Sequence, residues 1–342
     1  MNNNYLDFDV AIEKYFKKYL LAEISASPNT VRSYRDTFIL LLEYFQKKLG
    51  ISPEKISLEF IDRELVCNFL NWLESELNSS VSTRNHRYAT LRSFFSYMMY
   101  LDPAHLSQWK LICSIKKKKG PKGEMNYLSV DGMKCLFEQI DTDTLKGRRN
   151  LALLSLLYNT GARVQELIDL TPNSIRMAKP FTVELFGKGS KKRIVPIDES
   201  MQKLLNRYLD EYGLKSIINQ NSPLFFNARH QKLTTPGVTY VIQKYADMAR
   251  ESHPELIPKK ISPHCFRHSK AMHLLQAGCP LIYIRDLLGH VSIMTTEVYA
   301  RTDSSHKRKA LESAYEKVGI TEPVLASWEK DPKLKAFLKS LG

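Results

Sequence analysis

The sequence predicts a mainly helical protein in two parts, with one small antiparallel sheet in the second part. Three observations lead there. Apolar residues recur at helical spacing through roughly the first 100 residues. Four successive lysines followed by Gly120-Pro121-Lys122-Gly123 interrupt the chain. Only two stretches, Phe181 to Phe186 and Arg193 to Ile197, alternate as strands do. A chain of 342 residues, 43% hydrophobic and 25% charged, has the size and composition for two cores.

Taken in order, Pro28-Asn29-Thr30 opens a helix whose apolar face is Val31, Tyr34, Phe38, Leu41, Leu42 and Phe45, and Gly50 stops it. A second helix spans about Ile61 to Leu77, with Leu65, Phe69, Leu70 and Leu73 on one face. A third begins near Ser82-Thr83 and carries Tyr88, Leu91, Phe94, Phe95 and Met98. Its polar side shows Arg84, His86, Arg87 and Arg92, which read either as a solvated face or as contacts to phosphate. Lys116, Lys117, Lys118 and Lys119 cannot be buried, so residues 116–126 are expected to link the parts, as a tether or along a phosphate backbone. Beyond it, Leu128-Ser129 starts a helix, Asn150 to Asn159 is a core helix, and Gly187 to Lys192 turns between the two strands. Thr235-Pro236 starts a further helix. Asp331-Pro332 starts the last, with Leu334, Phe337, Leu338 and Leu341 in one stripe.

A net charge of +14 favours a polyanionic partner, nucleic acid above all. The five cysteines are widely spaced with no Cys-x-x-Cys pair, which suits reduced thiols and excludes a disulfide framework or zinc ribbon. The first nine residues are polar and acidic, unlike a signal peptide, and no apolar run approaches the ~18 residues of a membrane span. A cytoplasmic, nucleoid-associated protein without membrane contact is therefore expected.

Five segments of the second part carry groups suited to phosphate chemistry. Arg163 opens a helix after Gly161, with Glu166 one turn on. The helix dipole disfavours an arginine there, so it reads as a phosphate fork or as half of an ordinary surface pair. Lys188 sits on a glycine-flanked turn from which it could protonate a leaving oxygen. Lys191, Lys192 and Arg193 follow as candidate phosphate contacts. His264 and Arg267, three apart, share a helix face. His290 follows the helix-ending Gly289, and Tyr299 lies nine residues further. His264, His268, His273 and His290 could be imagined as metal ligands, but no acid stands among them and cations crowd the region. No metal and no cofactor is expected.

In order and spacing this series resembles the tyrosine recombinase family, the integrases and Xer-type site-specific recombinases. The matching text is Thr160-Gly-Ala-Arg-Val-Gln-Glu-Leu167, Gly187-Lys-Gly-Ser-Lys-Lys-Arg193, Pro263-His-Cys-Phe-Arg-His268, Leu288-Gly-His290 and Thr295-Thr-Glu-Val-Tyr299. The resemblance implies a helical, SAM-like core-binding domain at 1–115 and a mixed α/β catalytic domain at 127–318. It implies Tyr299 as nucleophile, forming a 3′-phosphotyrosyl bond, with Arg163 and Arg267 clamping the scissile phosphate. Lys188 would be general acid, His264 general base, His290 a transition-state donor and Glu166 a brace. Nearby cations are expected to favour the phenolate. The partner would be double-stranded DNA, bound by a homotetramer on two sites. The 319–342 tail helix is expected to pass in trans to a neighbour, since so short a stripe cannot fold alone.

Integration or excision of a mobile element is the favoured role, because the tail runs further past the tyrosine than a minimal Xer protein needs. Xer-like resolution of chromosome or plasmid dimers is the alternative. The larger phage-type integrases carry an arm-binding domain that this sequence is not expected to have. A non-cutting DNA-binding paralogue and a type IB topoisomerase-like enzyme are the readings from other classes. The intact set from Arg163 to Tyr299 speaks against the former, and the length and linker against the latter.

Overall fold

The computed structural model describes residues 6–120, 125–187 and 191–302. Lys188 and the 319–342 tail lie outside the described residues, as does part of the linker. The chain divides into two compact units, residues 1–123 and 124–342.

Among the described residues, the regular elements of the first unit are all helical. Helix α1 (Phe8–Lys14) runs into a π-helical stretch, Tyr15–Glu23, and is followed by α2 (Pro28–Leu49), α3 (Arg63–Ser75), α4 (Val81–Leu101) and α5 (Leu106–Cys113). Side chains cap the starts: Ser27, Asp62 and Ser80 accept from the backbone N–H groups of Thr30, Leu65 and Thr83 at 3.2, 2.7 and 3.2 Å. The observed start of α2 is the one the sequence places, and those of α3 and α4 fall one or two residues from theirs. The core is aromatic, holding Phe38, Phe45, Phe69, Phe94 and Phe95, and the rings of Phe38 and Phe94 pack directly on buried Tyr15. The Tyr15 hydroxyl is within 2.8 Å of Ser93 Oγ, which gives the buried phenol a polar partner.

The second unit begins with α6 (Val130–Glu138), α7 (Leu145–Thr160) and α8 (Val164–Ile168). A three-stranded antiparallel sheet follows, β1 (Ile175–Arg176), β2 (Thr182–Phe186) and β3 (Lys192–Pro196), in the order β1-β2-β3. The chain then forms α9 (Glu199–Glu211), α10 (Thr235–Ser252), α11 (Pro263–Gln276), α12 (Leu281–Leu288) and α13 (Met294–Thr302). Helix α7 is the central member, packed against α9 and α11. Phe186 pairs with Lys192, and Gly187 N–H donates to Lys191 C=O at 2.9 Å, so the β2–β3 pairing runs up to Gly187 and Lys191. Val183, Leu185 and Val195 face the core while Lys192 and Ile194 face out. Strand β1 escapes a periodicity reading because two residues show no alternation. Among the described residues, no helix is long and apolar enough to cross a membrane.

Candidate active site

Helix α11 is the spine of the site. Pro263 sits in its first turn, where a missing N–H costs nothing. Its buried side holds Cys265, Phe266 and Ser269 against the core. That orientation leaves His264, Arg267 and His268 directed toward α8, α12 and α13.

Arg267 is 3% exposed. Its guanidinium donates to Gly161 C=O and Leu288 C=O, both at 2.6 Å, which ties α11 to the ends of α7 and α12. Two of five N–H donors are thereby used, and the head group is locked in one plane. Burial first, then the charges of Arg163 and Arg193, hold its pKa down to about 10, so it stays cationic at neutral pH. Gly161 adopts φ +57°, and a Cβ there would meet Leu288 Cδ2 at 2.8 Å, so the close approach of α7 to α12 requires glycine.

Arg163 stands at the N-cap of α8, 39% exposed at its side chain. Glu166 reaches back to it twice, accepting from Arg163 N–H at 2.8 Å and from Nη1 at 2.9 Å. The same carboxylate receives a bidentate pair from Arg193, at 2.9 and 2.6 Å. Arg193 Nε donates to Leu287 C=O at 3.0 Å. Burial opposes the charge on Glu166, but the bonds from Arg193 and Arg163 prevail and hold its carboxyl below the usual range.

Arg193 therefore corrects an expectation. Its guanidinium does not face outward as a backbone contact but turns in from β3 to join the hairpin to α8 and α12. Gly289 permits this: it has φ +65°, and a Cβ would meet Arg193 Cδ at 3.1 Å. The arginine's location in the basic run hid its role, which depends on the inward side of β3.

Two imidazoles flank Tyr299. Its ring is 2% exposed, and His268 Nδ1 lies 3.0 Å from its hydroxyl. The His290 ring is parallel to it, 6.4 Å between centroids, and His290 Nδ1 is 2.9 Å from Thr296 Oγ1. Burial pushes the phenol above its usual pKa, and the Arg267 and Arg163 charges only pull against that rise. The expectation that cations would favour the phenolate is reversed, because desolvation of a nearly inaccessible ring outweighs them.

The histidine bonded to the tyrosine is His268, not His264. His264 lies one turn earlier on the same face, its ring 6.4 Å from that of His268. Partial burial, then Arg267 and Arg163, keep its pKa below the usual imidazole value. His268 was legible only as a further histidine among imagined metal ligands. His273 belongs to the framework, between Leu128 C=O at 2.9 Å and the Tyr158 hydroxyl at 2.8 Å. Among the described residues no group of three or more His, Cys, Asp and Glu side chains forms a ligand set.

Both flanking imidazoles are held neutral, at about 4, chiefly by burial and then by neighbouring cations. Each takes a proton near pH 6.5 when unfolded and resists it in the fold. Between those values the unfolded chain binds more protons, so stability falls as pH drops through that window. Lowering pH from 7 to 5 should cost the second unit on the order of 1 kcal/mol per imidazole after allowance for solvent screening. Thermal melts at the two pH values check this, and replacing both histidines with asparagine should flatten the difference.

Arg163, Gly187, Lys191, Arg193, His290 and Thr295 help to line an open cleft of about 570 Å³. Lys191 is exposed, and Lys192 is exposed but pairs with Glu184 at 2.7 Å. In the first unit, Arg92, Lys116, Lys117 and Lys119 are exposed. Lys118 is instead bound to Glu74 at 2.5 Å, with its backbone N–H on Asn85 Oδ1 at 3.0 Å. Arg84 also departs from its expected surface position. It is 4% exposed beside Glu74, 3.9 Å away, because its place on α4 faces α3. Arg87 is half-buried, donating to Ser33 C=O at 3.1 Å and Thr37 Oγ1 at 3.2 Å. The first two turns of α2 and α4 bring Arg32 and His86 to a second cleft of about 420 Å³. Arg32 drew no attention in the sequence because it is one of several charged residues scattered along an amphipathic helix.

The chain is similar to known proteins along both units. Residues 126–306 match the model of the phage integrase family, and residues 13–100 match the phage integrase N-terminal SAM-like domain. A putative integrase/recombinase, y4rC, of Sinorhizobium fredii is 32% identical, covering 96% of this chain and 97% of its own. The tyrosine recombinase XerD of Listeria monocytogenes is 33% identical, covering 83% and 91%. Among solved structures, the Tn1549 transposon integrase with transposon right end DNA has a TM-score of 0.69 at 17% identity, covering 91% of this chain and 98% of that one. The XerH recombinase in a post-cleavage complex with its difH substrate has a TM-score of 0.66 at 23% identity, covering 84% and 80%. These two share the fold.

Proposed function

Because the chain belongs to the phage integrase family of tyrosine recombinases, enzymes that cleave and rejoin DNA, we propose that it does so through a 3′-phosphotyrosyl bond to Tyr299. The observation that carries the reading is the convergence of Arg163, Arg267, His264, His268 and His290 about one phenol within a single unit. In this reading Arg163 and Arg267 hold the two non-bridging oxygens of a phosphate in the cleft. They meet the charge that builds as phosphorus becomes five-coordinate. Their rigidity matters as much as their charge: Glu166 and two backbone carbonyls fix them before substrate arrives, so little reorganisation remains. His290 donates to the same phosphate from the cleft wall. Lys188, between Gly187 and Lys191 in the chain, would protonate the departing 5′-oxygen.

The cleft reaches Thr295, one turn before the tyrosine, while Tyr299 is sealed at 2% exposure. Attack therefore requires α13 to shift toward the cleft when DNA binds. The bond energy of the broken strand stays in the phosphotyrosine, so rejoining needs neither ATP nor a metal. Duplex DNA would lie against the exposed bases of both units, Lys191, Arg92, Arg32 and the linker lysines, with four protomers on two sites and the tail shared in trans.

Integration or excision of a mobile element is the proposed role, supported by the near full-length similarity to an integrase/recombinase. The similarity to XerD favours dimer resolution as a second reading. A nicked duplex from the DNA flanking the gene should trap a covalent adduct that survives chelator and needs no nucleotide. Loss of the adduct in chelator would overturn the metal-free chemistry. Trapping only on a chromosomal dimer-resolution site would favour the second reading.

A further inference from the structure

We propose that residues 125–128 form a strap that holds the nucleophile's cluster in its sealed position, and that Tyr127 is the positioning residue through which seating of the first unit on DNA releases Tyr299. The proposal rests on the readings of Tyr299 as the nucleophile and of one duplex lying against both units. It adds how the two are coupled.

The chain between the units is anchored at both ends. On the first unit, the Asn85 amide donates to Lys118 C=O at 2.8 Å and accepts from Lys118 N–H at 3.0 Å. Glu74 takes the Lys118 ammonium. On the second unit, Leu128 is fully buried and fastened to α11. Its N–H donates to Ser269 Oγ at 2.8 Å, and its C=O lies 2.9 Å from His273 Nε2. Ser269 and His273 stand one turn apart on the helix that also carries Arg267 and His268. Just before this anchorage, Met125 and Tyr127 are half-buried against a small apolar cluster made of Ala271, Met272, Ile284, Leu288 and Tyr299. The strap thus bears on the cluster that contains the phenol and on Leu288, whose C=O accepts from Arg267.

Tyr299 is 2% exposed, so bringing its hydroxyl to the cleft requires this cluster to open. Opening it exposes apolar surface to water, which keeps the sealed state dominant in the free protein. DNA shifts that balance only through an element that differs between the two states. The strap is such an element, because it joins the phenol's cluster to the chain that runs back to Lys118. Residues 119–124 separate the anchorages, and fully extended they bridge about 25 Å. Seating both units against one duplex draws on that short connection, moves Tyr127 off the cluster and frees α13 to shift toward the cleft. Binding free energy of the first unit, remote from the phosphate, is thereby directed to the reacting centre.

The test is single-turnover cleavage of a nicked duplex by the full chain, at saturating duplex, with the adduct mapped by peptide analysis. Two changes are made singly and together. A Gly-Ser-Gly-Ser-Gly-Ser insertion after Gly120 slackens the connection, and Tyr127→Ala loosens the strap. The insertion alone should slow cleavage about tenfold at an unchanged melting temperature. Tyr127→Ala alone should cleave at least as fast as wild type, although lost packing lowers its melting temperature. In that background the insertion should change the rate by no more than about twofold, because the seal is already weak. Tyr127→Phe keeps the ring and should retain the full response to the insertion. If Tyr127 only packs, its alanine variant cleaves more slowly and the insertion adds its own loss on top. That result, or an insertion without effect in the otherwise unchanged chain, would overturn the proposal while an adduct on Tyr299 kept the nucleophile reading intact. An adduct on another tyrosine would overturn both. An Arg32→Ala, Arg92→Ala protein with wild-type duplex affinity would overturn the seating of the first unit and the proposal with it.

Discussion

Tyr299→Phe should form no covalent adduct on a nicked duplex while still binding it. The variant keeps the ring that fills the space between α11 and α13 and loses only the oxygen that would attack. The local cost is a single hydrogen bond to His268, on the order of 1 kcal/mol, so the unit stays folded. Circular dichroism and duplex affinity close to wild type, with no adduct at any time, would be the expected pair of results. An adduct formed by the phenylalanine variant would place the nucleophile elsewhere and remove the basis for the roles assigned around it. Arg267→Ala is a less clean probe, because that guanidinium also joins α7, α11 and α12 through two carbonyls.

Glu166→Ala should damage both stability and cleavage. Glu166, 3% exposed at its side chain, is the shared counter-charge of Arg163 and Arg193. Its removal leaves two guanidinium groups facing each other with no acid between them. Losing one partner of a buried pair costs about 3–5 kcal/mol. For a unit of this size that lowers the melting temperature on the order of 10 °C. Cleavage should fall by about 10²–10³ as Arg163 loses its fixed orientation, an effect like removing one transition-state donor. Glu166→Gln preserves the shape and should give a smaller loss in both measurements. The coupling of Glu166 with Arg193 is measurable in a double-mutant cycle with Arg193→Met, and should exceed 1 kcal/mol. A Glu166→Ala protein that melts and cleaves like wild type would show that the Arg163–Glu166–Arg193 triad holds nothing in place.

Much of the fold was legible because the signals are local. Helix α2 is bounded by Ser27-Pro28 and Gly50, and the apolar residues between repeat at helical spacing. The β2–β3 hairpin shows in two alternating runs around a glycine turn. Strand β1 and helix α8 are too short for any period to emerge. The basic residues were the least legible. Arg84, Arg87, Lys118 and Arg193 look alike in the sequence to Arg92 and Lys191. Charge alone does not say whether a guanidinium meets solvent or a carboxylate brought close by folding.

The sequence by itself determined the helical class with its small sheet, and the order and spacing of Arg163, His264, Arg267, His290 and Tyr299. These depend on residue type and spacing, which are properties of the chain before it folds. Tertiary structure decided which imidazole meets the phenol, that Arg193 braces rather than reaches out, and that burial makes the tyrosine a weaker acid. Those outcomes depend on distances between α8, β3, α11 and α13 and on how much water each group keeps. No local pattern encodes either quantity.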